Sequence, residues 1–151
     1  MKNSSTTLFV AMTLIVALAA ALVPAAASAG QQSGTVVAGM EAPDFTADVG
    51  EAADFRLSAL RGRTVILYFY PRDETPGCTR EALEFQRRLD AFRGLGAVVV
   101  GVSRDDLDSH REFSADLQLT FTLVPDPEGR IHDLFGAWKQ DSLWGRIAFG
   151  V

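Results

Sequence analysis

The run from Thr64 to Tyr70, TVILYFY, is apolar on both of the alternating faces that a strand would present. A strand rich in β-branched and aromatic residues, with no polar side, belongs inside a sheet covered above and below. Ala97 to Val102 repeats the pattern, and Phe121 to Val124 gives a third short strand. Between the first two, Ala82, Phe85, Leu89 and Phe92 recur at helical spacing, with Glu81, Glu84, Arg87 and Arg88 among them. That spacing predicts an amphipathic helix from about Cys78 to Arg93, stopped by Gly94 and Gly96. Asp105 or Asp106 caps a second helix running to about Leu117, with Phe113 and Leu117 facing inward. Phe45–Val49 and Asp54–Leu57, split by Gly50, read as a hairpin. The turn from Pro125 to Gly129 leads to a short helix, Ile131 to Phe135, and then to an irregular tail. Strand–helix–strand–helix–strand is the signature of an α/β fold with a parallel sheet.

Ahead of this pattern stands a segment of another kind. Residues Met1 to Thr7 are polar with one positive charge, Leu8 to Val23 is apolar apart from Thr13, and Ala27-x-Ala29 is a small-residue cleavage pattern. These features predict a signal peptide over residues 1–29, removed after Ala29, and export, with a bacterial periplasm as the expected compartment. An uncleaved segment would anchor the chain to a membrane, although the apolar run falls short of the about 20 residues a span needs. Residues 30–38 read as a flexible leader, and no stable membrane insertion is expected after cleavage. Lys2 is the one charge in the segment, so the remainder carries 13 basic against 19 acidic residues. A net acidic domain without a basic run is a poor partner for nucleic acid.

Chemistry concentrates at one sulfur. The chain has a single cysteine, Cys78, which excludes a Cys-x-x-Cys redox or zinc pair. Cys78 follows the central strand and a loop with two prolines and a glycine, and it falls on the first turn of the predicted helix. The C-terminal edge of a parallel sheet is where α/β proteins place their sites, and a helix start presents free N–H groups and a positive dipole end. Both favour a thiolate over a thiol. Thr75 lies within reach of anything bound at the sulfur, Pro71 and Pro76 stiffen the loop, Gly77 lets the backbone pass close, and Arg72 and Arg80 add positive charge.

Pro71, Thr75 and Cys78 at this spacing resemble the peroxiredoxin signature, and YFYPRDETPGCT over Tyr68–Thr79 is similar to the bacterioferritin comigratory, or peroxiredoxin Q, branch. Gly39–Phe45, Leu57–Gly62, Val100–Asp106, Ser109–Phe113, Leu119–Asp126 and Phe135–Trp138 continue the resemblance in order. It covers residues 39–151. It implies a thioredoxin-like (glutathione peroxidase-like) fold, a central sheet flanked by helices, and no cofactor or metal. It also implies a thiol-dependent peroxidase acting on hydrogen peroxide and small organic hydroperoxides. Cys78 would be the attacking cysteine, passing through a sulfenic acid. Thr75 would hydrogen-bond the peroxide, Pro71 would shield the thiolate, and Thr75, Gly77 and Cys78 would line the substrate position.

Two departures accompany the resemblance. Many members of the branch carry a second, resolving cysteine five positions on, where this chain has Leu83. An external thiol, either a thioredoxin-like protein or a small thiol, is then the expected reductant, acting on a monomer or homodimer. Family members also continue past the segment matching Trp144–Val151 with an arginine beside the cysteine, further strands and a helix. On that basis the domain is expected to be incomplete at its C-terminus, with Arg146 not filling the role of that arginine. The missing pieces would include the strand that pairs with Thr64–Tyr70, exposing an apolar edge. A catalytically impaired remnant or an interaction module is the alternative reading. His110 and His132 are expected on the solvated surface; Asp105, Asp106 and Asp108 as a cap and a solvated face; Trp138 and Trp144 as tail packing.

Overall fold

A computed structural model of the chain describes residues 36–50, 53–137 and 147–150. The expectations for the segment 1–29, and for Trp138, Trp144 and Arg146, lie outside the described residues. Four strands form the main sheet: β3 (Val65–Phe69), β4 (Val98–Ser103), β5 (Thr122–Pro125) and β6 (Ile147–Gly150). Their order is β5-β4-β3-β6. β3 lies parallel to β4, with Leu67 opposite Val100, and β4 lies parallel to β5, with Val102 opposite Val124. The crossovers are helices α1 (Pro76–Gly94) and α2 (Leu107–Leu117), and α3 (Arg130–Phe135) follows β5. The hairpin is shorter than its apolar segments: β1 (Thr46–Ala47) pairs antiparallel with β2 (Phe55–Arg56). A 3-10 turn over Leu57–Leu60 follows, and Asp44 caps it from across the hairpin, accepting from the Ser58 amide at 2.8 Å and hydroxyl at 2.7 Å.

One expectation is corrected here. The outer edge of β3 is paired, because β6 runs antiparallel to it with Leu67 opposite Ala148 and Tyr68 opposite Ile147. Part of what reads as an irregular tail is therefore a strand, which satisfies the backbone edge of this strongly apolar strand.

The double-faced apolar strand builds two cores. Leu67 and Phe69 point with Val100, Val102 and Val124 toward Phe45, Ile131 and Phe135, beneath the hairpin and α3. Ile66, Tyr68 and Tyr70 point with Val99 and Leu123 to the other face, where Cys78, Ala82 and Leu89 of α1 and Phe113 of α2 cover them. Each buried valine, leucine, isoleucine or phenylalanine among them contributes about 1.5–3 kcal/mol. Gly101 sits at the centre of β4, with Tyr68 and Leu123 packed where a side chain would project.

His132 is a second correction. It is 1% exposed, on the first face. Its Nδ1 lies 2.7 Å from Asp126 Oδ2 and its amide donates to the same oxygen at 2.9 Å. Its ring meets Phe69 edge to face at 5.0 Å. A carboxylate partner offsets the cost of burying a histidine, and Arg130 and Asp133 take the exposed side of α3.

Candidate active site

The central strand delivers the chain into a tight loop. Tyr70 ends the strand run, residues 71–75 turn, and α1 begins with Pro76, two residues earlier than the apolar spacing suggests. Proline fits that first helical position because its missing N–H would have had no partner there and its φ already suits a helix. Thr75 is the N-cap, with extended backbone (φ −69°, ψ 142°), and its carbonyl accepts from the Thr79 amide at 2.9 Å. Its hydroxyl does not cap the helix; it donates to the Arg72 carbonyl at 3.2 Å. The first-turn amides of Gly77 and Cys78 have no acceptor within the helix and, among the described residues, no capping side chain, at the positive end of a helix of 19 residues.

Cys78 is a free thiol on this first turn, 8% exposed, and packs in one cluster with Tyr68, Tyr70 and Ala82. Pro71 is half-buried at the loop's entry, and Thr75 is half-buried at its exit. Arg72, Arg80 and Gly77 are exposed. Apart from its chain neighbours and the helix's own backbone, no described atom lies within 4 Å of where a Gly77 side chain would begin. Pro71, Thr75, Gly77 and Cys78 therefore share one strand–loop–helix junction. The loop holds one unusual backbone angle: Glu74 has φ of 60°. The Thr75 amide donates to the Asp73 carbonyl across it at 2.8 Å, a three-residue turn of the rarer, positive-φ hand.

The residues that secure this turn are ones the sequence left unnoticed. Asp73 is 3% exposed and accepts from the Tyr70 hydroxyl at 2.8 Å, the Ser109 hydroxyl at 2.7 Å and His110 Nδ1 at 2.8 Å. Burial pushes its carboxyl up, but the hydrogen bonds from His110 and Ser109, the His110 charge and the Tyr70 bond outweigh that and hold it below the ordinary carboxylate value. Burial, with the charges of Tyr68 and Asp73 nearby, raises the Tyr70 phenol far above its usual value, so the hydroxyl stays protonated and donates. His110 is accordingly not on the solvated surface: it is 3% exposed because its face of α2 packs on the sheet and Asp73 satisfies it. Asp105 is likewise no solvated residue, since its Oδ2 accepts from the Asp73 amide at 2.8 Å and the Ser103 hydroxyl at 2.6 Å. Asp106 is the cap, accepting from the Ser109 amide at 2.9 Å, and exposed Asp108 pairs with Arg111 at 3.0 Å. A cleft of about 320 Å³ opens on this side of the loop, lined by Arg72, Asp73, Glu74, Asp105, Asp106, Asp108, Ser109 and Glu112.

Known proteins resemble this chain in both sequence and fold. The model of the AhpC/TSA family matches residues 38–149. The chain belongs to the AhpC/TSA family. Peroxiredoxin Bcp of Bacillus subtilis (strain 168) is 36% identical to it over 117 residues, 78% of this chain and 74% of that protein. The chloroplastic peroxiredoxin Q of Oryza sativa subsp. japonica is 42% identical over 110 residues, 68% of this chain and 51% of that protein. The solved bacterioferritin comigratory protein of Xanthomonas campestris, described for its alkyl peroxide reduction activity, is 38% identical with a TM-score of 0.57. The match covers 65% of this chain and 62% of that one. Within the AhpC/TSA family, the chain's likeness thus runs to the Bcp and peroxiredoxin Q branch. Its thioredoxin-like fold follows from the same neighbours.

Proposed function

We propose that this protein is a thiol-dependent peroxidase that reduces hydrogen peroxide and small organic hydroperoxides at Cys78. The observation that carries the reading is the placement of Cys78 on the first turn of α1, with two open amides beside it. The Cys78 thiolate attacks one peroxide oxygen; the sulfur–oxygen bond forms as the oxygen–oxygen bond breaks. The departing oxygen takes a proton and leaves as water or an alcohol. Sulfur loses two electrons, the peroxide gains two, and a sulfenic acid remains. Negative charge develops on the two oxygens in the transition state, and the Gly77 and Cys78 amides are donors fixed in advance for it. Pro71 and Thr75 border the same space, Pro71 restricting water and Thr75 offering a hydroxyl to the peroxide. A cysteine only 8% exposed is reached by a small molecule more easily than by a bulky one.

Leu83 stands one helical turn beyond Cys78, so we assign regeneration to an external thiol. Two thiols reduce the sulfenic acid to the thiol, releasing one disulfide and one water. We further propose that the protein works outside the cytoplasm after cleavage behind Ala29. The test is the second-order rate with hydrogen peroxide, followed by competition. A rate at least 100-fold above that of free cysteine, abolished in Cys78→Ser, supports the reading. A rate equal to free cysteine, unaltered by Cys78→Ser, supports the non-catalytic alternative.

A further inference from the structure

Asp73 takes no part in the bond-making proposed above, yet every polar atom it owns is engaged. Its amide donates to Asp105 Oδ2 at 2.8 Å, and its carbonyl accepts from the Thr75 amide at 2.8 Å. Its Oδ1 accepts from Tyr70, and its Oδ2 from both Ser109 and His110. The partners come from three places: the end of the central strand, the loop after β4, and the first two turns of α2. A buried carboxylate residue with its amide, its carbonyl and both side-chain oxygens engaged is held firmly in place.

The consequence runs along the backbone. Fixing Asp73 at both its amide and its carbonyl fixes the turn in which Glu74 holds φ of 60°. That turn delivers Thr75, whose carbonyl receives the first hydrogen bond of α1, and Pro76 allows little freedom before Cys78. An ionised Asp73 can only accept, so His110 must carry its proton on Nδ1. Among the described residues His110 Nε2 has no hydrogen-bond partner, and this carboxylate holds the ring from the Nδ1 side. A matching pair, Asp126 and His132, lies under the opposite face of the sheet, at 2.7 Å and equally buried. It serves as an internal control of the same chemistry away from Cys78.

We propose that Asp73, clamped by His110, Ser109 and Tyr70, is the positioning residue that holds Thr75 and the first turn of α1 where Cys78 reacts with peroxide. The proposal rests on the peroxidase reading for its functional effect. Two rates at Cys78 separate positioning from general loosening: reaction with hydrogen peroxide, which needs oriented donors, and alkylation by iodoacetamide, which needs only an accessible thiolate. His110→Ala is expected to slow the peroxide reaction on the order of 10- to 100-fold while changing alkylation less than about 3-fold, since small misplacements cost reactions that depend on orientation. His110→Asn, whose amide N–H can stand in for Nδ1, is expected to recover most of the loss. His132→Ala is expected to leave both rates unchanged. If His110→Ala does not fold, Ser109→Ala removes one donor to the same oxygen and is expected to slow peroxide alone, by about 3- to 10-fold. Equal effects on both rates, or the same losses in His132→Ala, overturn the proposal. Hydrogen exchange of the amides of residues 77–79 is read in parallel. If wild type reacts with peroxide no faster than free cysteine, but those amides exchange faster in His110→Ala and not in His132→Ala, the positioning role stands and the peroxidase reading falls. Unchanged exchange in all variants overturns the positioning role itself.

Discussion

Replacing Gly101 with alanine places a methyl group in a space the chain already fills. The new carbon would lie 2.8 Å from Tyr68 Cζ, 2.8 Å from Tyr68 Oη and 2.8 Å from Leu123 Cδ2. Tyr68 has nowhere to retreat: it is 1% exposed and stacked on Phe85 at 4.5 Å and on Tyr70 at 5.4 Å. Overpacking of this kind costs about 1–3 kcal/mol. The smaller conformational freedom of alanine in the unfolded chain returns about 0.4–1 kcal/mol. A net loss centred near about 1.3 kcal/mol and reaching about 2.6 kcal/mol is expected, the central value being a melting-point drop of roughly 4–8 °C for a domain of this size. Tyr68→Phe sharpens the test, because the buried Tyr68 hydroxyl has no partner among the described residues. Removing it is expected to be neutral or to stabilise by about 1 kcal/mol. It also relieves one of the three close approaches, so the double variant should be more stable than the sum of the singles by about 0.5–1 kcal/mol. Urea unfolding of the four proteins measures this directly. A Gly101→Ala loss below about 0.3 kcal/mol, or strict additivity of the two changes, refutes the packing argument.

Three further outcomes follow from the structure. Burial raises the carboxyl of Asp126, but the hydrogen bonds and charge of His132 overcome it and hold it below the ordinary value, as happens at Asp73 with His110. A carboxyl lowered in the folded state stabilises the fold above its unfolded value, about pH 4, and that contribution disappears as the pH falls through the folded value. The stability gap between wild type and Asp126→Asn should therefore be largest near neutrality and narrow below about pH 4; a constant gap contradicts the assignment. Asp44→Ala removes both hydrogen bonds to Ser58, the main cause of the lowered Asp44 carboxyl, and should cost about 0.5–1 kcal/mol in urea unfolding, with no change signifying that the cap is idle. Expressed in a Gram-negative host, the protein recovered from the periplasm should begin at Gly30 by intact mass, whereas an unprocessed Met1 start in the cytoplasm contradicts export.

Much of the fold is legible because its signals are local. The double-faced apolar strand, the stripe of Ala82, Phe85, Leu89 and Phe92, and the loop with its cysteine need no distant partner to be read. The stripe places α1 on the sheet, with Ala82 and Leu89 buried and Phe85 and Phe92 partly so. The start of α1 is displaced by two residues because a Pro-Gly pair reads as a loop, although proline at the first helical position was equally consistent. His110 was misplaced by its charged neighbours in sequence. Its spacing to Phe113 and Leu117, three and seven residues on, sets it on the inward face, and that periodicity was the stronger signal. Asp73 could not be recognised, because its meaning depends on partners 32 to 37 residues away. The pairing of β6 with β3 is illegible for the same reason: strand partners are chosen by the tertiary fold, not by either segment alone.

The central claim, that Cys78 is the atom oxidised by peroxide, is tested most directly by trapping. The protein is treated with one equivalent of hydrogen peroxide in the presence of dimedone, and the peptide bearing Cys78 is weighed. The account predicts a dimedone adduct on Cys78 within seconds, dependent on peroxide and blocked by prior alkylation. An unmodified Cys78 peptide after minutes of exposure, in protein that remains folded, would contradict it.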